Sequence, residues 1–356
     1  MIVLRILLLP LALLYGFAVL ARNKFYDWNI LPSKAFSIPV ICVGNISMGG
    51  TGKTPMVEYL TRLLQDRLRV ATLSRGYGRK TKGFVLAGRD SSYKEIGDEP
   101  AQYKYKFPGL TVAVCEKRVP AIEKLMSCSF PPEIVLLDDA FQHRAVSAGL
   151  NILLLEYSRF SAFDFLFPSG TLREWKSGIG RAGIIVVTKC PENISPGMRK
   201  EITDSLRLRS HQRIYFSFPG YEPPVAFTAM AKTVQPRKSF HVLLVTGIAR
   251  PEIPEAHLRS CYRNVTHIKY SDHHPYTSRD VEKIEKSFLA LESQEKILIT
   301  TEKDLMRLLP ADTNKVLDAL PCFTLPVRIC FPEPDKNSFD RDILGYAGEA
   351  QGTKAS

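Results

Sequence analysis

Twelve consecutive residues constrain this chain more than any others: Gly44-Asn-Ile-Ser-Met-Gly-Gly-Thr-Gly-Lys-Thr-Pro55. An apolar, strand-like run at 38–43 precedes them, and an amphipathic, helix-like run at 53–65 follows. A glycine-rich loop between a strand and a helix is the context of a phosphate-binding loop. Glycine puts no Cβ between backbone N–H groups and phosphate oxygens. The helix behind adds its positive N-terminal dipole. The spacing predicts that Gly49, Gly50, Thr51 and Gly52 wrap nucleotide phosphates. Lys53 then reaches the β- and γ-phosphates, and Thr54 ligates Mg²⁺. Pro55 suits the first helical turn, where its missing N–H costs nothing. One position departs: GxxxxGK[ST] has glycine where this chain has Ser47.

Around this loop the text alternates strand-like and helix-like runs. Strands are expected at 38–43, 69–73, 110–114, 134–137, 152–155 and 184–187, mostly as continuous apolar runs. Such runs suit strands buried on both faces of a parallel sheet. Helices are expected at 53–65, 117–127 and 196–208. The fold class is therefore α/β, a P-loop NTPase-type wound sheet. A breaker-rich stretch at 218–224 marks a boundary. A second, smaller α/β domain follows, with strands at 242–246, 265–269 and 296–300 and a helix near 278–291. The run at 322–331 ends it or returns to the first domain. The expected organisation is a hydrophobic membrane-associated helix at 1–34, a P-loop kinase domain at 35–218, the second domain at 219–331 and a polar tail at 332–356. With 356 residues, 45% of them hydrophobic, the chain can fill two cores.

From Ile2 to Ala21 the one charge is Arg5, and Arg22 and Lys24 follow. Roughly 20 apolar residues span a bilayer, so the segment is long enough. Pro10 and Gly16 suit a helix lying in the interface equally well. No small-residue cleavage site precedes Arg22, which favours an anchor over a removed signal. Lys and Arg number 48 against 36 Asp and Glu, a net charge of +12. That balance suits polyanions, from nucleotides to anionic headgroups. No aromatic-interleaved RNA-binding pattern stands out, so nucleic acid is not an expected partner. The seven cysteines have no CxxC spacing. They read as reduced, largely buried thiols rather than a zinc site.

A second acidic motif, Glu133-Ile-Val-Leu-Leu-Asp-Asp-Ala140, ends a strand beside the loop. Asp138 or Asp139 there would hold Mg²⁺ directly or through water. Further unusual segments are Leu73-Ser-Arg-Gly-Tyr-Gly78, Gly97-Asp-Glu-Pro100, Phe141-Gln-His-Arg144, Pro168-Ser-Gly-Thr-Leu-Arg-Glu174, Ser271-Asp-His-His-Pro275 and Thr300-Thr-Glu-Lys-Asp304. With SMGGTGKTP and GIARP, these motifs make the chain similar to the tetraacyldisaccharide 4'-kinase (lipid A 4'-kinase) family over about residues 1–310. A departure is Gly183, where the family pattern has Asp.

The resemblance implies an ATP-dependent kinase. It would phosphorylate the 4'-hydroxyl of an acylated glucosamine disaccharide 1-phosphate, a glycolipid, to form lipid IVA. It also implies MgATP as cosubstrate, a membrane surface as partner, and a place at the cytoplasmic face of a Gram-negative inner membrane. By the same resemblance Asp98 is the catalytic base and His273, preferred over His274, its partner. Spacing alone reads Asp98 equally well as a helix-capping carboxylate. Glu99 resembles a metal-side carboxylate. Arg118 would offset charge on the transferred group. Gln142, His143, Arg173 and Glu174 look acceptor-facing.

Two other functions compete. A GTPase switch would carry an NKxD-type base reader, and Thr188-Lys189-Cys190-Pro191 lacks its Asp. A non-catalytic nucleotide-binding subunit would have no use for a base such as Asp98 with His273.

Overall fold

The computed structural model describes residues 5, 7–160, 164–310 and 316–352. Residues 1–4 and 6 of the hydrophobic segment and 353–356 of the expected tail lie outside them. Helix α1 (Leu9–Asp27) comes first. The first unit then runs β1 (Val40–Gly44), α2 (Lys53–Leu64), β2 (Val70–Ser74), β3 (Val85–Leu86), α3 (Tyr93–Ile96), α4 (Asp98–Lys106), β4 (Thr111–Val114), α5 (Arg118–Met126), β5 (Ile134–Asp138), β6 (Leu150–Glu156), β7 (Ile184–Thr188), α6 (Pro196–Leu206) and β8 (Arg213–Phe216). Its eight strands lie in the order β3-β4-β2-β5-β1-β6-β7-β8. All neighbours are parallel except β3 on β4.

Alternation along β1 feeds two cores. Ile41 and Val43 face Met56, Val57, Leu60 and Leu64 of α2. Val40 and Cys42 face Ala121, Ile122 and Leu125 of α5. Successive side chains of a strand point to opposite faces, so a fully apolar strand asks for cover on both. The parallel register sets Val43 of β1 beside Asp138 of β5. The loop leaving β1 and the acids ending β5 thus emerge together at the carboxyl edge of the sheet, where wound sheets bind ligands.

The second unit contains β9 (Phe218–Tyr221), β10 (Val225–Ala226), β11 (His241–Thr246), α7 (Glu252–Cys261), β12 (Asn264–Lys269), α8 (Ser278–Leu289), β13 (Lys296–Thr301), α9 (Glu302–Leu308) and β14 (Cys322–Leu325). Its sheet runs β10-β14-β13-β11-β12. The expected run at 322–331 divides. Its first half, β14, stays in this sheet; its second half, β15 (Val327–Cys330), pairs antiparallel with β9. From there Ile329 and Phe331 enter the core of the first unit.

The stretch read as a polar tail is instead helical. In α10 (Asp335–Gly352), Phe339, Ile343 and Ala347 fall at i, i+4 and i+8 and are buried in the first unit's core. Tyr59 donates to Asp340 at 2.6 Å, and Arg199 pairs with Asp335 at 2.7 Å. A narrow apolar stripe in a polar composition carries this helix, and average composition conceals such a stripe.

Helix α1 lies against the first unit. Ala12 and Gly16 are its buried positions, and a Cβ on Gly16 would sit 2.3 Å from Leu166 Cδ1. Trp175 Nε1 donates to Gly16 O at 2.9 Å, and Tyr15 Oη donates to Arg173 O at 2.8 Å. Leu7, Leu11, Leu13, Leu14 and Phe17 remain exposed. Among the described residues no helix is long and apolar enough to cross a membrane.

Candidate active site

The phosphate loop is held by partners on both sides. Asn45 Nδ2 donates to Thr51 Oγ1 at 2.8 Å, and Thr188 Oγ1 donates to Thr51 O at 2.9 Å. Met48 N donates to Thr171 O at 2.7 Å, and Met48 O accepts from Arg159 Nη2 at 2.7 Å. Gly52 turns into α2 at φ 89°, a conformation that excludes most side chains. Ser47 is not among the residues with positive φ and forms a bridge to Leu172. Its position therefore places no demand for glycine, which accounts for the departure from the loop pattern.

Lys53 stands 3.5 Å from Asp139 Oδ1. Asp139, at φ 49°, also takes Arg173 Nη1 at 2.8 and 3.1 Å. Burial pushes its carboxyl up, but Lys53 and Arg173 outweigh that and hold it below the usual range. Asp138 is buried; Tyr103 Oη donates to its Oδ2 at 2.8 Å, and its Oδ1 has no partner among the described residues. Burial and the charges of Glu99 and Asp139 push that carboxyl up. Thr54 Oγ1 donates to Glu99 Oε1 at 3.0 Å.

Three motifs of the second unit hold one another and aim across at the first. Asp304 is fully buried and accepts from Gly247 N, Tyr276 Oη and Arg307 Nη2. His273, at φ 56°, donates its backbone N–H to Gly247 O at 3.0 Å. So braced, His273 Nδ1 meets Asp98 Oδ2 at 2.8 Å across 175 residues of sequence. Burial acts to raise the Asp98 carboxyl, and the His273 hydrogen bond and Lys303 charge bring it below its ordinary value. The same bond raises His273. Lys303 donates to Glu99 Oε1 at 2.6 Å. His274 turns away: it stacks on Tyr270 and meets Asp280 at 3.1 Å.

On the first unit, the close fit of two motifs fixes Asp98. Gly97, at φ 93°, precedes it, and a Cβ there would meet Tyr77 O at 2.9 Å. Arg118 opens α5, almost wholly buried. Its Nη1 donates to Cys115 O and Glu116 O, and its Nε has no partner among the described residues. His143 Nε2 accepts the Arg118 backbone N–H at 3.4 Å. Of the four residues read as acceptor-facing, Arg173 and His143 thus adjoin Asp139 and Arg118. Gln142 and Glu174 are taken up internally. Gln142 Nε2 donates to Asn45 O and Glu174 Oε1, each at 2.8 Å. Glu174 is buried against Arg181 at 2.8 Å, with Asn23 of α1 at 3.3 Å.

The His143 ring makes a test by pH. Burial, then Arg118, Arg22 and Arg75, push it down to about 4 from an ordinary 6.5. The folded protein therefore binds this proton less readily than the unfolded chain. The contribution to stability is present above pH 6.5 and is lost as pH falls toward 4. His143→Gln is expected to flatten that part of the acid denaturation profile, read from urea midpoints. An unchanged profile would contradict a neutral, half-buried His143.

Sequence reasoning missed Lys303, although the Thr-Glu-Lys-Asp motif stands out in the chain. It also missed Glu156, which is buried and pairs with Lys189 at 3.4 Å and with Arg250 from the second unit. The signal was present in both cases: a charged residue at a strand end or in a motif of its own.

Among the described residues no three His, Cys, Asp or Glu side chains form a ready metal cage. Magnesium asks for less: one or two carboxylates, with phosphate oxygens and water completing its shell. The Thr54 hydroxyl, the Glu99 carboxylate and the unpartnered, buried Asp138 Oδ1 fit that donor set.

Comparison with known proteins gives a consistent result. The family model described as tetraacyldisaccharide-1-P 4'-kinase matches residues 4–346. A tetraacyldisaccharide 4'-kinase of Bacteroides fragilis is 44% identical over 350 residues, covering 96% of this chain and 93% of that protein. One from Flavobacterium psychrophilum is 44% identical over 345 residues, covering 96% and 97%. The crystal structure of "apo" form LpxK from Aquifex aeolicus in complex with ATP matches with a TM-score of 0.73 at 28% identity. It covers 96% of this chain and 99% of that one.

Proposed function

The chain belongs to the tetraacyldisaccharide 4'-kinase family, and from that premise we propose how its residues divide the work. It is an ATP-dependent 4'-kinase of lipid A biosynthesis. The proposed acceptor is a tetraacylated glucosamine disaccharide 1-phosphate. Its 4'-hydroxyl oxygen bonds to the γ-phosphorus as the bond to the β–γ bridging oxygen breaks. Lipid IVA and ADP are the products.

A sugar hydroxyl is a weak nucleophile at neutral pH, so a base that takes its proton assists attack. Asp98 is assigned that role, with His273 setting its charge and orientation. The single observation that carries this reading is the 2.8 Å contact between them, made across the two units beside Lys53 and Thr54. Lys53 neutralises charge on the β- and γ-phosphates, and Asp139 holds Lys53 and Arg173 in place. Arg118, buried without a carboxylate partner among the described residues, offsets charge on the transferred group. Bound Mg²⁺ would be held by Thr54, Glu99 and Asp138 and would supply further charge neutralisation. His143 and Arg173 adjoin the acceptor, while Gln142 and Glu174 brace the loop against α1. The test uses γ-labelled ATP and two acceptors, the natural disaccharide and its 4'-deoxy analogue. Label is expected in the first alone; label in the deoxy analogue would overturn the assigned position.

The proposed setting is the cytoplasmic face of a Gram-negative inner membrane, with α1 on the bilayer surface. Its exposed Leu11, Leu13, Leu14 and Phe17 support this, and neither Gln142 nor Glu174 is free to move without α1. Burying one such side chain contributes about 1.5–3 kcal/mol. Replacing Leu13, Leu14 and Phe17 together by Glu is expected to lower vesicle binding in high salt by about a hundredfold or more. The docked stripe at Ala12 and Gly16 is untouched, so the fold should persist. Sedimentation with vesicles equal to that of the unaltered protein would remove α1 from the membrane.

A further inference from the structure

Lys303 takes no part in the division of work among Asp98, His273, Lys53 and the metal-side groups. It stands at the second position of α9, on the second unit, yet its ammonium donates to Glu99 Oε1 of the first at 2.6 Å. That same oxygen accepts the Thr54 hydroxyl at 3.0 Å. Thr54 and Glu99 are two of the groups assigned to the divalent cation, and the role inferred for Lys303 rests on that assignment. A metal ion taking that oxygen would compete with Lys303, since two cations that close repel each other. The neighbouring cations are engaged elsewhere: Lys53 pairs with Asp139 and Arg307 with Asp304. Asp98 and Asp138 add negative charge around Glu99, so an uncompensated Glu99 would be costly in the empty site.

We propose that Lys303 is a positioning residue that stands in for the divalent cation in the nucleotide-free enzyme. It neutralises Glu99 from the opposite unit and keeps free metal out until a nucleotide arrives with it. Phosphate charge then tips the competition toward the metal, so the metal enters as its ATP complex. One of the contacts that clasp the two units is released at the same moment, while the neighbouring Lys106–Glu302 pair is left in place.

The experiment titrates Mn²⁺ alone into nucleotide-free protein and follows the free ion by electron paramagnetic resonance. Lys303→Met keeps an unbranched side chain, one atom shorter, and removes its charge, and Lys303→Arg keeps the charge. The Met variant is expected to bind Mn²⁺ about tenfold or more tightly than the unaltered protein, and the Arg variant to bind it as weakly. With a non-hydrolysable ATP analogue present, the difference should shrink. A folded Met variant that gains no affinity would overturn the inference, as would an Arg variant that gains as much as Met. Should the Met variant fail to fold, Lys303→Gln is read in the same way. Glu99→Gln separates the metal assignment from the stand-in role. If it binds Mn²⁺ with the analogue as well as the unaltered protein does, the metal assignment itself is wrong. If it loses that binding while Lys303→Met gains nothing, the stand-in role alone is wrong.

Discussion

Lys53→Ala is expected to cut phosphoryl transfer by about a thousandfold or more, with a much smaller loss of ATP affinity. The reason is differential. Backbone N–H groups of the loop hold the phosphates in ground state and transition state alike, whereas the lysine charge acts most where negative charge accumulates as the β–γ bridge breaks. Its side chain is held at the mouth of the loop, 3.5 Å from Asp139, and is only 10% exposed. The variant should still fold, because Arg173 continues to pair with Asp139 at 2.8 Å. Single-turnover assays at saturating ATP, beside calorimetric ATP binding, measure the two losses separately. Turnover within tenfold of the unaltered enzyme would remove Lys53, and with it the phosphate-loop mechanism.

Asp98→Ala and His273→Ala should each lower kcat by about a hundred- to ten-thousand-fold, the range for a general base, with little change in KM for ATP. The two side chains share one hydrogen bond at 2.8 Å, so they are expected to act as a unit. The double variant should then be little worse than either single one. Fully multiplicative losses would show that they work separately. His274→Ala is the control. That ring stacks on Tyr270 and meets Asp280, the acid of the capping box that Thr277 opens at α8, so its loss should cost stability and leave kcat near normal. A crippled His274→Ala beside an active His273→Ala would reverse the assignment. Because the pair forms only where the units meet, its geometry depends on how the two units dock.

The two histidines show how far sequence reading reached. Asp-His-His-Pro marks a site, but nothing in its spacing says which ring leaves the turn. That depends on the left-handed backbone at His273 and on its N–H bond to Gly247, a residue 26 positions earlier. Gln142 and Glu174 have the same lesson. Both sit in motifs that read as acceptor-facing, and both are spent on Asn45, Arg181 and α1, contacts that local sequence does not display. The C-terminal helix was hidden differently. Its three core residues are diluted by polar neighbours, and its partner surface, Tyr59, Tyr215 and Phe331, comes from three distant segments.

The sequence by itself determined the phosphate loop, the strands that carry it and the acids beside it. Each of these rests on the conformation of contiguous residues: glycines that permit the turn, an apolar run that must be covered on both faces, a helix that starts where the loop ends. The tertiary structure alone decided what meets Asp98 and Glu99. Asp98 and His273 are brought together, and Glu99 and Lys303 likewise, by docking one α/β unit on another. A separation of about two hundred residues is fixed by the packing of both cores and the helices between them. No local preference encodes that distance, which is why Asp98 and Glu99 stood out as residues in a motif while what meets them did not.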